Sequence, residues 1–333
     1  MCEHFQHPRA LDLRRLRSLV LLITICAPVF VFGPPSACSE EPRSEETSNE
    51  PLDLAYHSAV SEVRLVFFAT DEQNHNVLTL QKDDFAVIDD ERVIRQFRSF
   101  TRSDTITLDL VVLIDSSESV MPQFPQEVAE VAQLISHSPW NPGDTVSVLS
   151  FAGLETHLIC AVNCRTSFSA NLVAPLVNRA ATPLLEALDA AATLLIQRRQ
   201  PDVWPVILLF SDGIDNISKI SFLQVQRKIL ASGAQVYAID VDDSKSPSTG
   251  RATLKKLADD SGGRYMRLDN SARLFQDLLD DLRSARLVTY ALPASGSGFH
   301  SVRILPTRNL KLQFRCRRGY YLRSDNTNPE EGR

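Results

Sequence analysis

Between Thr107 and Arg286 the chain alternates apolar runs of strand length with amphipathic runs of helix length, a pattern few folds accept. "TLDLVVLID" is apolar from Leu110 to Ile114 and "PVILLFSDG" from Pro205 to Phe210, each ending on polar residues, as strands buried on both faces are. "DTVSVLSFA", "AQVYAIDV" and the short "RYMRLD" read as further strands. Between them, "QEVAEVAQLISH", "PLLEALDAAATLLIQRR", "SFLQVQRKILASG", "RATLKKLADDSGG" and "ARLFQDLLDDLRSAR" carry apolar residues at helical spacing. The second of these starts at Pro183, and the third ends at Gly233, matching the usual punctuation of helix ends. The expected fold class is α/β: a doubly wound, mostly parallel sheet covered by helices on both faces.

The flanks have another rhythm. "VRLVFFAT", "FAVIDD" and "VIRQFRSF" precede the α/β region, and "RLVTYAL", "HSVRILPT", "LKLQFRCR" and "GYYLRS" follow it. These are short, β-branched and aromatic runs separated by polar turns. Neither flank is large enough to hold a core alone. The expectation is one β-rich second domain, residues 58–104 packing with 287–323, interrupted by the α/β domain at 107–286.

The first 38 residues read as an export signal. Arg9, Arg14, Arg15 and Arg17 precede "SLVLLITICAPVFVFG", a run of sixteen residues broken by Pro28, and small residues follow. The run falls short of the roughly 20 residues of a membrane span. Cleavage is expected near Ala37 or Cys38, with a lipid anchor on Cys38 or an uncleaved signal as the routes to a membrane. The chain is then exported, to periplasm, cell envelope or medium. Residues 39–57 are acidic and proline-containing, a composition that predicts a disordered spacer; the tail, 324–333, reads as loose.

Apolar residues at 44% and charged residues at 23% are ordinary for globular proteins, and the net charge of −6 with no basic stripe argues against nucleic acid. Outside the signal stand Cys160, Cys164 and Cys316. Cys160 and Cys164 can close a small disulfide loop, stay free, or join His157 in a zinc site, for which no fourth ligand lies near. Cys316 reads as a buried thiol. His137, His157 and His300 are scattered and read as structural or exposed.

Ligands of open α/β sheets gather at the carboxyl ends of the strands. Three such ends carry oxygens here: Asp115, Ser117 and Ser119 after the first strand, Thr182 before the long helix, and Asp212 in "LLFSDGIDN". Taken singly, these are also turn and capping residues, Thr182 above all. Jointly, two carboxylates at neighbouring strand tips repel each other, and no Lys or Arg stands in either loop. A divalent cation with oxygen ligands resolves the repulsion. Mg²⁺ suits few carboxylates, hydroxyls and retained waters, with Ca²⁺ or Mn²⁺ as alternatives.

The D-x-S-x-S run at 115–119, the threonine at 182 and "SDG" at 211–213 resemble the metal-ion-dependent adhesion site of von Willebrand factor A domains, over roughly residues 107–286. The flanks, "TLQKDDFAVIDDERVIRQFRSF" and "LKLQFRCRRGYYL", are similar to an exported bacterial group with a VWFA-related domain, abundant in Acidobacteria. The resemblance implies a six-stranded sheet in the order 3-2-1-4-5-6. It also implies a Mg²⁺ held by Asp115, Ser117, Ser119, Thr182 and Asp212, with a partner protein's Asp or Glu carboxylate completing the coordination. Glu118 departs from the family's usual glycine, and Ala180-Ala181 replace common glycines; neither removes a ligand.

The function these readings imply is a Mg²⁺-dependent protein-binding module outside the cytoplasm. The alternative is a structural or assembly component of the cell envelope whose A domain the metal merely stabilises. An enzyme is not expected, because no G-x-S-x-G or other activated-nucleophile setting exists. The last helix leads directly into the distal β segments, so its displacement would reach the β domain.

Overall fold

The computed structural model describes residues 62–322 except 103–104, 170–171, 173–180, 243–247, 269–270 and 294–297. The readings of 1–38 as signal, Cys38 as anchor, 39–57 as spacer and 324–333 as tail, together with Ala180, lie outside the described residues.

The N-terminal flank supplies β1 (Glu62–Thr70), β2 (Phe85–Asp89), β3 (Arg92–Ile94) and β4 (Ser99–Arg102). The α/β region follows as β5 (Thr107–Asp115), α1 (Phe124–His137), β6 (Thr145–Ala152), β7 (Glu155–Cys160) and the single turn α2 (Cys164–Ser167). It continues through α3 (Leu184–Gln197), β8 (Val203–Ser211), α4 (Phe222–Ser232), β9 (Gln235–Asp240), α5 (Thr249–Ser261), β10 (Arg264–Arg267) and α6 (Ser271–Ser284). The distal flank is β11 (Arg286–Ala291), β12 (Gly298–Pro306), β13 (Gln313–Cys316) and β14 (Gly319–Leu322).

Six strands form the central sheet in the order β10-β9-β8-β5-β6-β7, all parallel except the β6–β7 pair. Counted from β5, that order is 3-2-1-4-5-6. The pleat of β5 explains the two layers. Leu110, Val112 and Ile114 face a core shared with Val128 and Val131 of α1 and Leu278 of α6. Val111 and Leu113 face the opposite core, with Leu188 of α3, Ile229 of α4 and Leu257 of α5. Ile207 of β8 is fully buried there, and Ile207→Ala costs about 2–5 kcal/mol by loss of transfer energy and the cavity left behind.

The edge strand β7 lacks the apolar signature of the others because it is mostly half-buried or exposed. Cys160 at its end is disulfide-bonded to Cys164, with the Cα atoms 5.5 Å apart. His157 instead lies 3.3 Å from Glu155. Cys316 is a free, half-buried thiol that burial pushes up to about 12.

The flanking strands form two four-stranded sheets, β13-β1-β11-β4 and β14-β12-β2-β3, each combining residues from before and after the α/β region. Leu65, Phe67, Phe85, Val87, Val288, Tyr290, Val302 and Ile304 fill the core between them. The run "VIRQFRSF", which the sequence presents as one segment, is divided. Val93 and Ile94 pair with β2, whereas Ser99 and Phe100 pair with β11 in the other sheet. The chain crosses between sheets at Arg95–Arg98, and Phe97 stacks on Phe85 at 5.1 Å in the crossing.

The α/β region is tied to this sandwich through α6. Asp281 accepts from Tyr237 of β9 at 2.8 Å and from Arg315 of β13 at 2.6 Å. Arg315 also donates to the Gly262 and Gly263 carbonyls and lies 3.8 Å over the Phe68 ring. Arg286, fully buried, binds the Leu78 carbonyl at 2.7 Å where α6 gives way to β11.

Candidate metal centre

The first loop leaves the sheet at Asp115, which is fully buried. Its Oδ1 accepts from the Ser117 backbone N–H at 3.0 Å and its Oδ2 from the Ser211 hydroxyl at 2.7 Å. A short 3₁₀ turn, Glu118–Val120, follows and brings the Ser117 and Ser119 hydroxyls to 3.2 Å. Ser117 precedes that turn without capping it, so its hydroxyl meets the other hydroxyls of the cluster instead. Glu118 is exposed.

Thr182 does not cap α3, whose capping position is Pro183 and whose cap has no side-chain hydrogen bond. The Thr182 hydroxyl instead donates to Ser117 Oγ at 2.9 Å. Asn216 holds the threonine in place: its side-chain oxygen accepts from the Thr182 N–H at 2.7 Å, and its own N–H donates to the Thr182 carbonyl at 3.2 Å. Ala181 accepts from the Gly153 N–H, anchoring the same loop to the end of β6.

The third loop begins at Asp212, whose carboxylate accepts from the Ile214 N–H at 2.9 Å and from the Ser119 hydroxyl. Gly213 has φ 78°, and a Cβ there would stand 2.2 Å from the Gly250 carbonyl. A Cβ on Gly250 would in turn stand 2.3 Å from the Asp212 carbonyl, so the loop and the start of α5 meet backbone to backbone. Asp215 is half-buried and keeps one buried oxygen without a hydrogen-bond partner.

The structure thus brings together Asp115, Ser117, Ser119, Thr182 and Asp212 from three loops. The electrostatics of the cluster are unfavourable. Burial lifts the Asp115 carboxyl to about 7, with repulsion from Asp212 adding to the shift. Asp212 is also raised, by burial and then by Asp242 and Asp240. Among the described residues, no Lys or Arg pairs with either carboxylate. Glu127 worsens the imbalance. It is fully buried on α1, neither oxygen has a hydrogen-bond partner, and burial followed by repulsion from Asp115 holds its carboxyl well above the usual range. A divalent cation suits this donor set, which is hard oxygen throughout, carries excess negative charge and has hydroxyls not engaged as caps. The five residues would hold it, and it would supply the missing positive charge.

Three residues that position the cluster escape sequence reading. Ser211 and Asn216 flank Asp212 within "SDGIDN", and their polarity in a strand-end loop was the available signal. Glu127 falls three residues after Phe124 and four before Val131, on the apolar face of α1. An acidic residue in phase with the core positions was its signal. One further group of ligating side chains lies elsewhere: Asp89, Asp90 and His300 each offer an atom within 4.8 Å of the others.

Among solved structures, the chain is similar to a von Willebrand factor type A protein from Catenulispora acidiphila, with 10% identity, TM-score 0.43, and coverage of 79% of this chain and 74% of that one. It is similar to an aerotolerance-related membrane protein from Bacteroides fragilis, with 18% identity, TM-score 0.42, and coverage of 53% and 98%. Proximal thread matrix protein 1 from the mussel byssus, in a form with a zinc-occupied MIDAS motif, matches at 15% identity and TM-score 0.42 over 53% of this chain. The chain spans 48% of that protein's length. No curated protein matches. The family model for the von Willebrand factor type A domain matches residues 109–281, more than half of the 333-residue chain, and the chain belongs to that family.

Proposed function

We propose that the protein is an extracytoplasmic, Mg²⁺-dependent protein-binding module. Asp115, Ser117, Ser119, Thr182 and Asp212 hold the ion, and a partner's Asp or Glu carboxylate completes its coordination. The observation that carries this reading is the convergence of two buried carboxylates and three hydroxyls with no Lys or Arg beside the carboxylates among the described residues. Calcium and manganese are the competing ions, and oxygen ligation admits both.

Residues 1–38 direct export, residues 39–57 separate the folded part from the signal, and the flanks belong with the exported Acidobacteria-type group. No helix among the described residues is long and apolar enough to cross a membrane. The protein is not an enzyme in this reading, because among the described residues no serine of the cluster has a histidine base beside it. The Asp281–Arg315 contact gives α6 a route to the β sandwich on partner binding. Small-angle scattering profiles that differ with and without Mg²⁺ plus partner are the expected outcome of that linkage.

Retention of a partner from a cell-envelope extract tests the main reading. The wild-type chain is expected to retain it in Mg²⁺ and release it in EDTA, and Asp115→Ala is expected to retain none. Retention unaffected by both EDTA and Asp115→Ala would overturn the reading in favour of a structural envelope component.

A further inference from the structure

The β sandwich holds a second cluster, on the two chain segments that flank the A domain. Asp89 ends β2, and Asp90 and Glu91 form the two-residue turn into β3, both with positive φ, 43° and 70°. His300 lies on β12, which pairs with β2 through Val302 and Asp89. Its Nδ1 stands 2.7 Å from Asp90 Oδ2 and 4.0 Å from Asp89 Oδ1.

Each of the three side chains is held in place by other groups. Asp89 Oδ2 accepts from Tyr290 at 2.8 Å and from Tyr320 at 2.9 Å. Asp90 Oδ1 accepts from the Ser301 N–H at 2.7 Å and from its hydroxyl at 3.2 Å. The His300 ring stacks on Tyr320 at 5.2 Å with an interplanar angle of 11°. These contacts use one oxygen of each carboxylate and leave the other turned toward His300 Nδ1. Asp89 is completely buried, yet its Oδ1 has no hydrogen-bond partner. An orphaned carboxylate oxygen in a buried site is costly unless something positive meets it.

We propose that Asp89, Asp90 and His300 form a second metal site that binds Zn²⁺ through His300 Nδ1, Asp89 Oδ1 and Asp90 Oδ2. One imidazole nitrogen with two carboxylate oxygens suits zinc, whereas Mg²⁺ prefers oxygen alone. Ligands oriented by hydrogen bonds from neighbouring groups are the usual setting of such an ion. Binding breaks the Nδ1–Asp90 contact, forms a bond from the metal to each of the three atoms, and releases to solvent the proton those two groups share. Asp90, half-exposed, gives the ion its entry. The ion joins the flank before the A domain to the flank after it, so the site acts as a clasp on a domain whose halves lie far apart in sequence. A plain His300–Asp90 ion pair is the competing account.

X-ray absorption at the zinc edge on the untagged chain, loaded with one equivalent of Zn²⁺ in excess Mg²⁺, separates the two. The site predicts one imidazole in the zinc shell, at about 2.0–2.1 Å. Asp90→Asn keeps the acceptor for Ser301 and tolerates positive φ, and it is expected to weaken Zn²⁺ binding at least about tenfold by calorimetry. His300→Gln is expected to remove the imidazole scattering. An oxygen-only shell would put the zinc in the cluster around Asp115 and overturn the proposal. Zn²⁺ affinity unchanged in Asp90→Asn would overturn it too.

Discussion

Two neighbouring carboxylate groups at the top of the same sheet meet their charge in opposite ways. At the tip of β9, Asp240 is fully buried, but Arg251 of α5 donates to it at 2.8 Å and reaches Asp242 at 3.5 Å, while Tyr265 adds its hydroxyl. At the tips of β5 and β8, Asp115 and Asp212 meet only hydroxyls and backbone N–H groups among the described residues, and both carboxyls are pushed upward. Burial is similar at the Asp240 and Asp115 tips, and one of them carries its own cation. A buried acid with an arginine is a finished structural element; a buried pair of acids that meets only hydroxyls and N–H groups is left with excess negative charge that a cation would offset.

Removing one of the unpaired carboxylates has the largest expected effect. Asp115→Ala is expected to weaken Mg²⁺ binding by on the order of 100-fold or more, measured by calorimetry, because the carboxylate at the centre of the hydroxyl network goes. Arg251→Gln should behave in the opposite manner. It leaves Asp240 buried beside a neutral partner, lowers the unfolding midpoint by on the order of 5–10 °C, and Mg²⁺ does not restore the loss.

A smaller effect follows from protons. Burial lifts the folded Asp115 carboxyl to about 7 from 3.8 in the unfolded chain, so between those values the ion-free fold holds a proton that the unfolded chain releases. The stability this contributes is full below the unfolded value and is lost as pH rises through the folded one. Protons and Mg²⁺ compete for the same oxygen, so Mg²⁺ affinity is expected to fall about 50-fold between pH 7 and pH 5, by titration at each pH. A pH-independent affinity would mean that Asp115 does not meet the ion. The smallest effect belongs to Glu127→Gln. If Glu127 stays protonated beneath the cluster, replacing it with an uncharged isostere changes Mg²⁺ affinity at pH 7 by no more than about threefold.

The comparison also marks what was legible in the sequence. β5 and β8 were readable because both faces are buried and the apolar run is continuous; β7 was not, because it is an edge with little to bury. The break inside "VIRQFRSF" was hidden because two sheets of one sandwich draw on the same β-branched and aromatic residues. The oxygens of the cluster were visible since D-x-S-x-S, the threonine and "SDG" sit where strands end. Their neighbours were less so. Glu127 looks like a solvated helix residue until α1 is turned against the sheet, and Ser211 looks like part of a turn until its hydroxyl meets Asp115. His300 reads as a lone histidine because its two carboxylates stand some two hundred residues away and reach it only when the flanks pair.

In the proposed reading Asp115 and Asp212 receive a cation because, among the described residues, no Lys or Arg meets them. Thermal unfolding of the chelator-stripped chain at about pH 8, with and without Mg²⁺, tests it most directly. Wild type is expected to gain stability in Mg²⁺, Arg251→Gln to gain as much from its lower start, and Asp115→Ala to gain none. A wild-type midpoint unmoved by Mg²⁺, Ca²⁺ or Mn²⁺ would contradict the account.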